Sequence, residues 1–189
     1  NKNIKVDKDA YMRARLSDML IGDWDRHSDQ WRWGMYKENE QTIYRPIPRD
    51  RDQAFPRYDG LFFKVIMGIP PLRHMQDFKD DIHNVKWFNR EPYPLDLAIL
   101  ESSDLTAWKK QAQFIQDHLT EEHIRKAFEL IPQEVKQDYD QVVIKNLIER
   151  KSKLHKYAEE YHKTLRRLVV LKGTNEDDEI LVTRLAKGE

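Results

Sequence analysis

Asp23-Trp24-Asp25-Arg26-His27-Ser28-Asp29-Gln30 and Pro48-Arg49-Asp50-Arg51-Asp52-Gln53-Ala54-Phe55 are the two stretches around which this chain of 189 residues is built. Between them, Trp31-Arg32-Trp33-Gly34-Met35-Tyr36-Lys37 and Thr42-Ile43-Tyr44-Arg45-Pro46-Ile47 read as strands, with Glu38-Asn39-Glu40-Gln41 as their turn. That is the pattern of a β-hairpin. If the turn centres between Asn39 and Glu40, Trp31 faces Pro48. Directly opposed Cα atoms in an antiparallel pair lie about 4.5–5.5 Å apart, so the hairpin carries Asp25 to Gln30 alongside Asp50 and Asp52. Several oxygen-bearing side chains then meet at one end of a small sheet, an anionic pocket suited to a divalent cation.

Asp-Arg-His with a polar residue three positions on, followed by a hairpin and Asp-x-x-x-Ala-Phe, resembles the catalytic and metal-binding loops of atypical kinases. CotH-type spore-coat kinases, HipA-type kinases and the secreted Golgi casein kinase family are the families it is most similar to. Phosphatidylinositol kinases carry a similar Asp-Arg-His. The resemblance spans residues 9–67. It implies a kinase C-lobe-like helical domain that uses ATP with Mg²⁺ (or Mn²⁺). It further implies that Asp25 orients an acceptor hydroxyl and takes its proton, with Arg26 and His27 as the scaffold of that catalytic loop. Asp50 is implied as the metal ligand, with Asp52, Gln30 and Asp29 as auxiliary ligands. The families often carry Asn where this chain has Gln30, whose carbonyl oxygen sits on a longer arm, and many kinases have Gly at the place of Asp52.

A structural reading stands beside the chemical one. Charged residues make up 35% of the chain, so Asp25-Arg26 and Asp50-Arg51 are also what surface ion pairs look like, each worth about 0–1 kcal/mol. The recurrence of the pattern at both hairpin ends favours the site.

The rest of the sequence is mostly helical, giving an α+β chain that is mainly α-helical. Residues 8–21 place Met12, Leu16, Met19 and Leu20 on one stripe, with Asp7 or Asp9 to cap the start and Gly22 to stop it. Leu61–Met67 is a short apolar run, and residues 72–94 read as a loop broken by Asn84, Asn89, Pro92 and Pro94, with Trp87 and Phe88 pinning it. From Leu95 onward, Asp104 caps one helix (Leu105, Trp108, Ala112, Ile115, Leu119) and Thr120 opens a second (Ile124, Ala127, Phe128). Pro132 fits the first position of a third and longest helix running past Leu165. On it, Glu149–Lys153 and Glu160–Arg166 read as solvated faces. His118, His123, His155 and His162 show no zinc spacing. Residues 168–189 read as a short β-hairpin, the start of a following β-element, leaving residues 1–167 as the kinase C-lobe-like helical domain.

Composition bounds the function. With 33 basic and 33 acidic residues the net charge is zero, and no field favours nucleic acid or an anionic membrane. No apolar run is long enough for a membrane span. Zero cysteines exclude disulfides and cysteine-based zinc sites. A complete kinase also needs a glycine-rich loop and a strand lysine paired to a helix glutamate, and six scattered glycines supply no such loop. The expectation is therefore a C-terminal lobe whose partner is the remainder of a larger chain, including an N-lobe, acting on hydroxyls of a protein substrate. The chain opens on Asn1 rather than Met, in keeping with a processed or excised segment. A non-catalytic helical interaction module within a larger protein is the alternative.

Overall fold

The computed structural model describes residues 3–58, 67–134 and 139–168, together with Glu179 and Leu181. In chain order the elements are β1 (Ile4–Val6), α1 (Lys8–Ile21), β2 (Trp31–Glu38), β3 (Gln41–Pro48), α2 (Val85–Phe88), α3 (Tyr93–Leu100), α4 (Leu105–His118), α5 (Glu121–Glu129), α6 (Tyr139–Ser152) and α7 (Leu154–Leu165). Single 3₁₀ turns occupy Ser28–Gln30 and Pro70–Leu72. This is the mainly helical α+β class that the sequence predicts.

The hairpin forms in the expected register, from Trp31 opposite Pro48 to Glu38 opposite Gln41. Asn39 and Glu40 take φ of 47° and 63°, the left-handed pair of a type I′ turn, whose twist matches that of the strands it joins. β1 adds alongside β3 in parallel, giving the order β1-β3-β2. Three residues are too few for periodicity to register, so the sequence reading contains no β1.

α1 is the axis of the helical part, packed against α3, α4, α6, α7 and β3. Its ends are as predicted: the Asp7 carboxylate accepts the Ala10 N–H at 2.9 Å, and Gly22 closes the helix at φ 80°. Met12, Leu16, Met19 and Leu20 are buried, as expected of a stripe. A second stripe, Tyr11, Arg15 and Asp18, is buried as completely. Trp31 and Trp33 of β2 pack over Tyr11, at ring centroid separations of 4.7 and 5.9 Å. The root of the hairpin is thereby fastened to the helix.

Elsewhere the expectations need correction. Residues 72–94 are not simply loop: Asn84 caps α2 by accepting the Trp87 N–H, Asn89 ends it, and Pro92 and Pro94 start α3 rather than break structure. Proline suits a helix's first turn because no N–H is needed there. Phe88 is buried, and Trp87 half-buried, which fits the expected pinning. Pro132 lies outside helix, and the long helix is two, α6 and α7, broken at Lys153. Arg150 is not on a solvated face. It is 2% exposed and donates to the carbonyls of Met19 and Lys79 between the rings of Phe78 and Tyr157. The apolar run before Met67 and the terminal hairpin fall outside the described residues.

Gly22 gives a direct test of how α1 meets its surroundings. A Cβ there would lie 2.8 Å from Phe78 Cδ2 and 3.2 Å from Pro56 Cδ, on a left-handed backbone. Gly22→Ala is expected to cost roughly 2 kcal/mol, combining the left-handed penalty of about 1 kcal/mol with the clash. A urea unfolding midpoint unchanged by the substitution would contradict this placement.

Candidate functional site

The two loops predicted to meet do meet, and a buried network of charges holds them. Arg15 of α1 donates from Nε to both oxygens of Asp96 on α3 (3.1 and 2.9 Å), from Nη1 to Asp18 (2.7 Å) and from Nη2 to Asn89 (2.6 Å). Asp96 also accepts the hydroxyls of Tyr11 (2.7 Å) and Tyr161 (2.5 Å). Burial, then the Asp96 charge, pushes both phenols far above the ordinary tyrosine range, so they remain hydrogen-bond donors. Asp18 is shared further, by Arg26 Nε at 3.1 Å and by Arg51 Nη2 at 3.2 Å.

Arg26 is the junction. Fully buried, it pairs with Asp18 and Asp23 and donates from Nη1 to the carbonyls of Gln30 and Arg49. One guanidinium thus ties the end of α1, the first loop and the second loop together. Arg49 N–H returns a bond to Gln30 O at 2.9 Å, and Phe55 N–H donates to Ile21 O at 2.9 Å. Planar and permanently charged, a guanidinium can serve all these acceptors at once where an ammonium cannot.

The predicted residues divide by environment. His27 Nδ1 accepts the Asp29 N–H at 3.3 Å, and its carbonyl accepts the Gln30 N–H at 3.2 Å. It therefore caps the 3₁₀ turn, a scaffold position. Asp29 is exposed. Gln30 is 8% exposed, and its Oε1 has no hydrogen-bond partner. Asp50 is exposed at φ 53°, a left-handed turn that aspartate tolerates better than most residues. Asp52 is exposed and accepts from Gln53 at 3.2 Å. Phe55, also at positive φ (56°), ends the second loop with its ring edge-on to Phe78 at 5.0 Å. A left-handed bulky residue marks local strain of the kind found beside functional sites.

Asp25 is half-buried. Burial raises its carboxyl above the usual range; His27 and His74 pull it down, while Glu91 and Asp52 push it up. Of the two second-loop acids, it is Asp52 whose charge acts most on Asp25. The surrounding wall was not legible in the sequence. Trp24 meets His74 at a tilt of 57°, ring centroids 4.7 Å apart, and donates to the Tyr58 hydroxyl at 2.9 Å, and Tyr58 N–H donates to Asp77 at 2.9 Å. Asp77 also lines a polar cavity of about 510 Å³ with Arg73, Lys79, His83 and Trp87. His74, Tyr58 and Glu91 come from segments with no spacing relation to Asp25, so no motif could have named them.

Among the described residues no group of three or more His, Cys, Asp or Glu side chains is placed to cage a metal. Mg²⁺ in phosphoryl-transfer sites is ordinarily held by one or two carboxylates together with substrate phosphates, not by an all-protein cage. Asp25 and Asp52 are carboxylates of the type such sites use, on the two loops that the hairpin pairs. Compared with family models, curated proteins and solved structures, the chain finds no match in any of the three.

The network makes a pH-dependent prediction. Burial, and next the Asp18 charge, pushes Asp23 up to about 6 against the opposing pull of Arg26, Arg15 and Arg51. A carboxyl whose folded pKa exceeds its unfolded value binds the proton more tightly when folded, so its contribution is present at low pH and is lost as pH rises through about 4 to 6. Comparing unfolding free energies of wild type and Asp23→Asn across that range should show an extra decline in the wild type on the order of 2 kcal/mol. Parallel profiles would contradict the assignment.

Proposed function

We propose that this chain is the acid- and metal-bearing lobe of an atypical kinase-like phosphotransferase. The carrying observation is the joining of the two loops: the hairpin register sets Trp31 opposite Pro48, and Arg26 binds the carbonyls of both Gln30 and Arg49. Asp25, its carboxyl raised by burial, is the proton acceptor for a substrate hydroxyl, since a base with a raised pKa is the better acceptor. Asp52, with Asp50 and Gln30 beside it on the paired loops, is the arm for Mg²⁺ or Mn²⁺. When bound, the cation neutralises charge on the nucleotide phosphates. His27 and Arg26 hold the loop. The acceptor is proposed to be a protein hydroxyl, docking on the Asp77 side of Asp25.

The absence of a preformed three-ligand group among the described residues favours a second reading, a helical interaction module that keeps the paired loops as structure. In that reading Asp50 and Asp52 serve the turn and Asp25 has no ligand.

Cation binding separates the two. A ligand at ten times its Kd stabilises the folded state by about 1.4 kcal/mol, a rise of roughly 3–6 °C in Tm for a chain of this size. Mn²⁺ with a non-hydrolysable ATP analogue is expected to produce such a rise, and Asp25→Asn and Asp52→Asn each to remove most of it. A rise insensitive to both substitutions, or none, supports the module. Phosphoryl transfer depends on a nucleotide clamp, and the sequence holds no glycine-rich loop, so the 189 residues alone are expected to turn over no measurable ATP.

A further inference from the structure

The two edges of the small sheet are treated differently. On β3, Thr42 N–H donates to Asn3 O at 2.7 Å, and Tyr44 O accepts the Asp7 N–H at 2.9 Å, so the even-numbered residues of β3 turn toward β1. Past Tyr44, where β1 has ended, the next even positions are Pro46 and Pro48, which have no N–H to offer. That edge is closed, first by a strand and then by proline, a standard guard against stray pairing. On the other side, the odd-numbered residues of β3 bond the even-numbered residues of β2. The N–H and C=O groups of Trp33, Met35 and Lys37 therefore point away from the sheet. β2 runs its whole length without bulge or proline, and among the described residues no strand pairs with its outer edge. Met35 is 60% exposed, and Tyr36, on the opposite face, 44%.

We propose that two copies of this chain pair through their β2 strands, antiparallel about Met35, into one continuous sheet. Donors and acceptors alternating along an extended backbone are matched by another extended backbone. A second β2 is the strand that fits, because the edge complements itself. With Met35 opposite its own copy, Arg32 faces the partner's Glu38 and Trp33 faces the partner's Lys37, an ion pair and a cation on an aromatic ring, each repeated by the two-fold axis. Gly34 faces the partner's Tyr36, and its own Tyr36 ring already lies over it, 2.9 Å from where a Cβ would stand. Arg32 spends Nη1 on the carbonyls of Asp29 and Trp31, and Glu38 already holds Arg45 at 3.0 Å, so the pairing extends an existing charge cluster. A two-residue slip sets Lys37 against Met35 one way and Gly34 against itself the other, and both lose the Trp33–Lys37 contact. The proposal does not depend on phosphotransfer.

The chain has no cysteine, so Met35→Cys introduces a lone thiol. Hydrogen-bonded opposed residues lie about 5.5 Å apart at Cα, within reach of a disulfide. Sedimentation equilibrium of the 189-residue chain is expected to give a dimer that dissociates on dilution. Under mild oxidation Met35→Cys is expected to cross-link at least about tenfold faster than Val142→Cys, an exposed position on α6. Met35→Pro deletes an outward N–H, along with the exposed Sδ that accepts the Tyr44 hydroxyl at 3.8 Å, and is expected to sediment as a monomer with an unchanged circular dichroism spectrum. Should that variant fail to fold, Arg32→Glu is expected to weaken the dimer and Arg32→Glu with Glu38→Arg to restore it. A wild-type chain that is monomeric at every attainable concentration, Met35→Cys linking no faster than Val142→Cys, or an Arg32→Glu defect that Glu38→Arg leaves unrepaired, would each overturn the proposal.

Discussion

The guanidinium of Arg26, sealed from solvent, binds the carboxylates of Asp18 on α1 and Asp23 in the first loop, and one backbone carbonyl in each loop, those of Gln30 and Arg49. Burying such a charge is costly unless its donors are matched, and removing one partner of a buried pair costs about 3–5 kcal/mol. Here the matching is spread over α1, both loops and, through Asp18 and Arg15, α3. The arrangement is cooperative in the plain sense that Asp18 cannot satisfy Arg26 without being placed by Arg15 and Arg51. Once α1, α3 and the hairpin are docked, the loops have one low-energy arrangement. A loose version would leave charges buried and unpaired.

The chemistry proposed for Asp25 follows from that constraint. Arg26, the residue next to it, is turned inward and immobilised, which fixes the backbone that presents the Asp25 carboxyl to the half-buried surface by Trp24, Tyr58 and His74. The second loop is bounded by left-handed residues, Asp50 and Phe55. Phe55 is anchored by a bond to Ile21 O and by its contact with Phe78. Strain at both ends of a short loop, held in place by packing, is a way of aiming side chains that an unstrained turn would point elsewhere.

The hairpin divides its labour along its length. Its root, Trp31 and Trp33 over Tyr11, joins the sheet to the helical core and sets the spacing of the two loops. Its outer half, from Gly34 to the turn, is much more exposed and leaves one edge open. A pairing across that edge, centred on Met35, would run from the turn down to Arg32, whose Nη1 donates to Asp29 O of the first loop, so association and site chemistry adjoin at the root of one element.

Local physics made much of this visible in the sequence. The Asp7 and Gly22 caps of α1, the Asp104 and Thr120 caps, and the hairpin register all depend on residues within a turn or a strand length of each other, and all were readable. α2 and α3 were hidden because Asn and Pro serve helix starts as readily as loops, and the break at Lys153 was hidden because apolar spacing continues across it. The joining of the loops was legible for the same local reason as the register. What holds them was not. Arg15, Asp18 and Arg26 look in the sequence like the polar side of a helix and a charged loop, and Arg15 finds Asp96 across 81 positions of chain. Spacing records which residues share a face, but whether a charged face meets water or a matching charge depends on what folds over it. That was decided only when α3 and α7 closed over α1 and turned a row of ordinary charges into the interior of the protein.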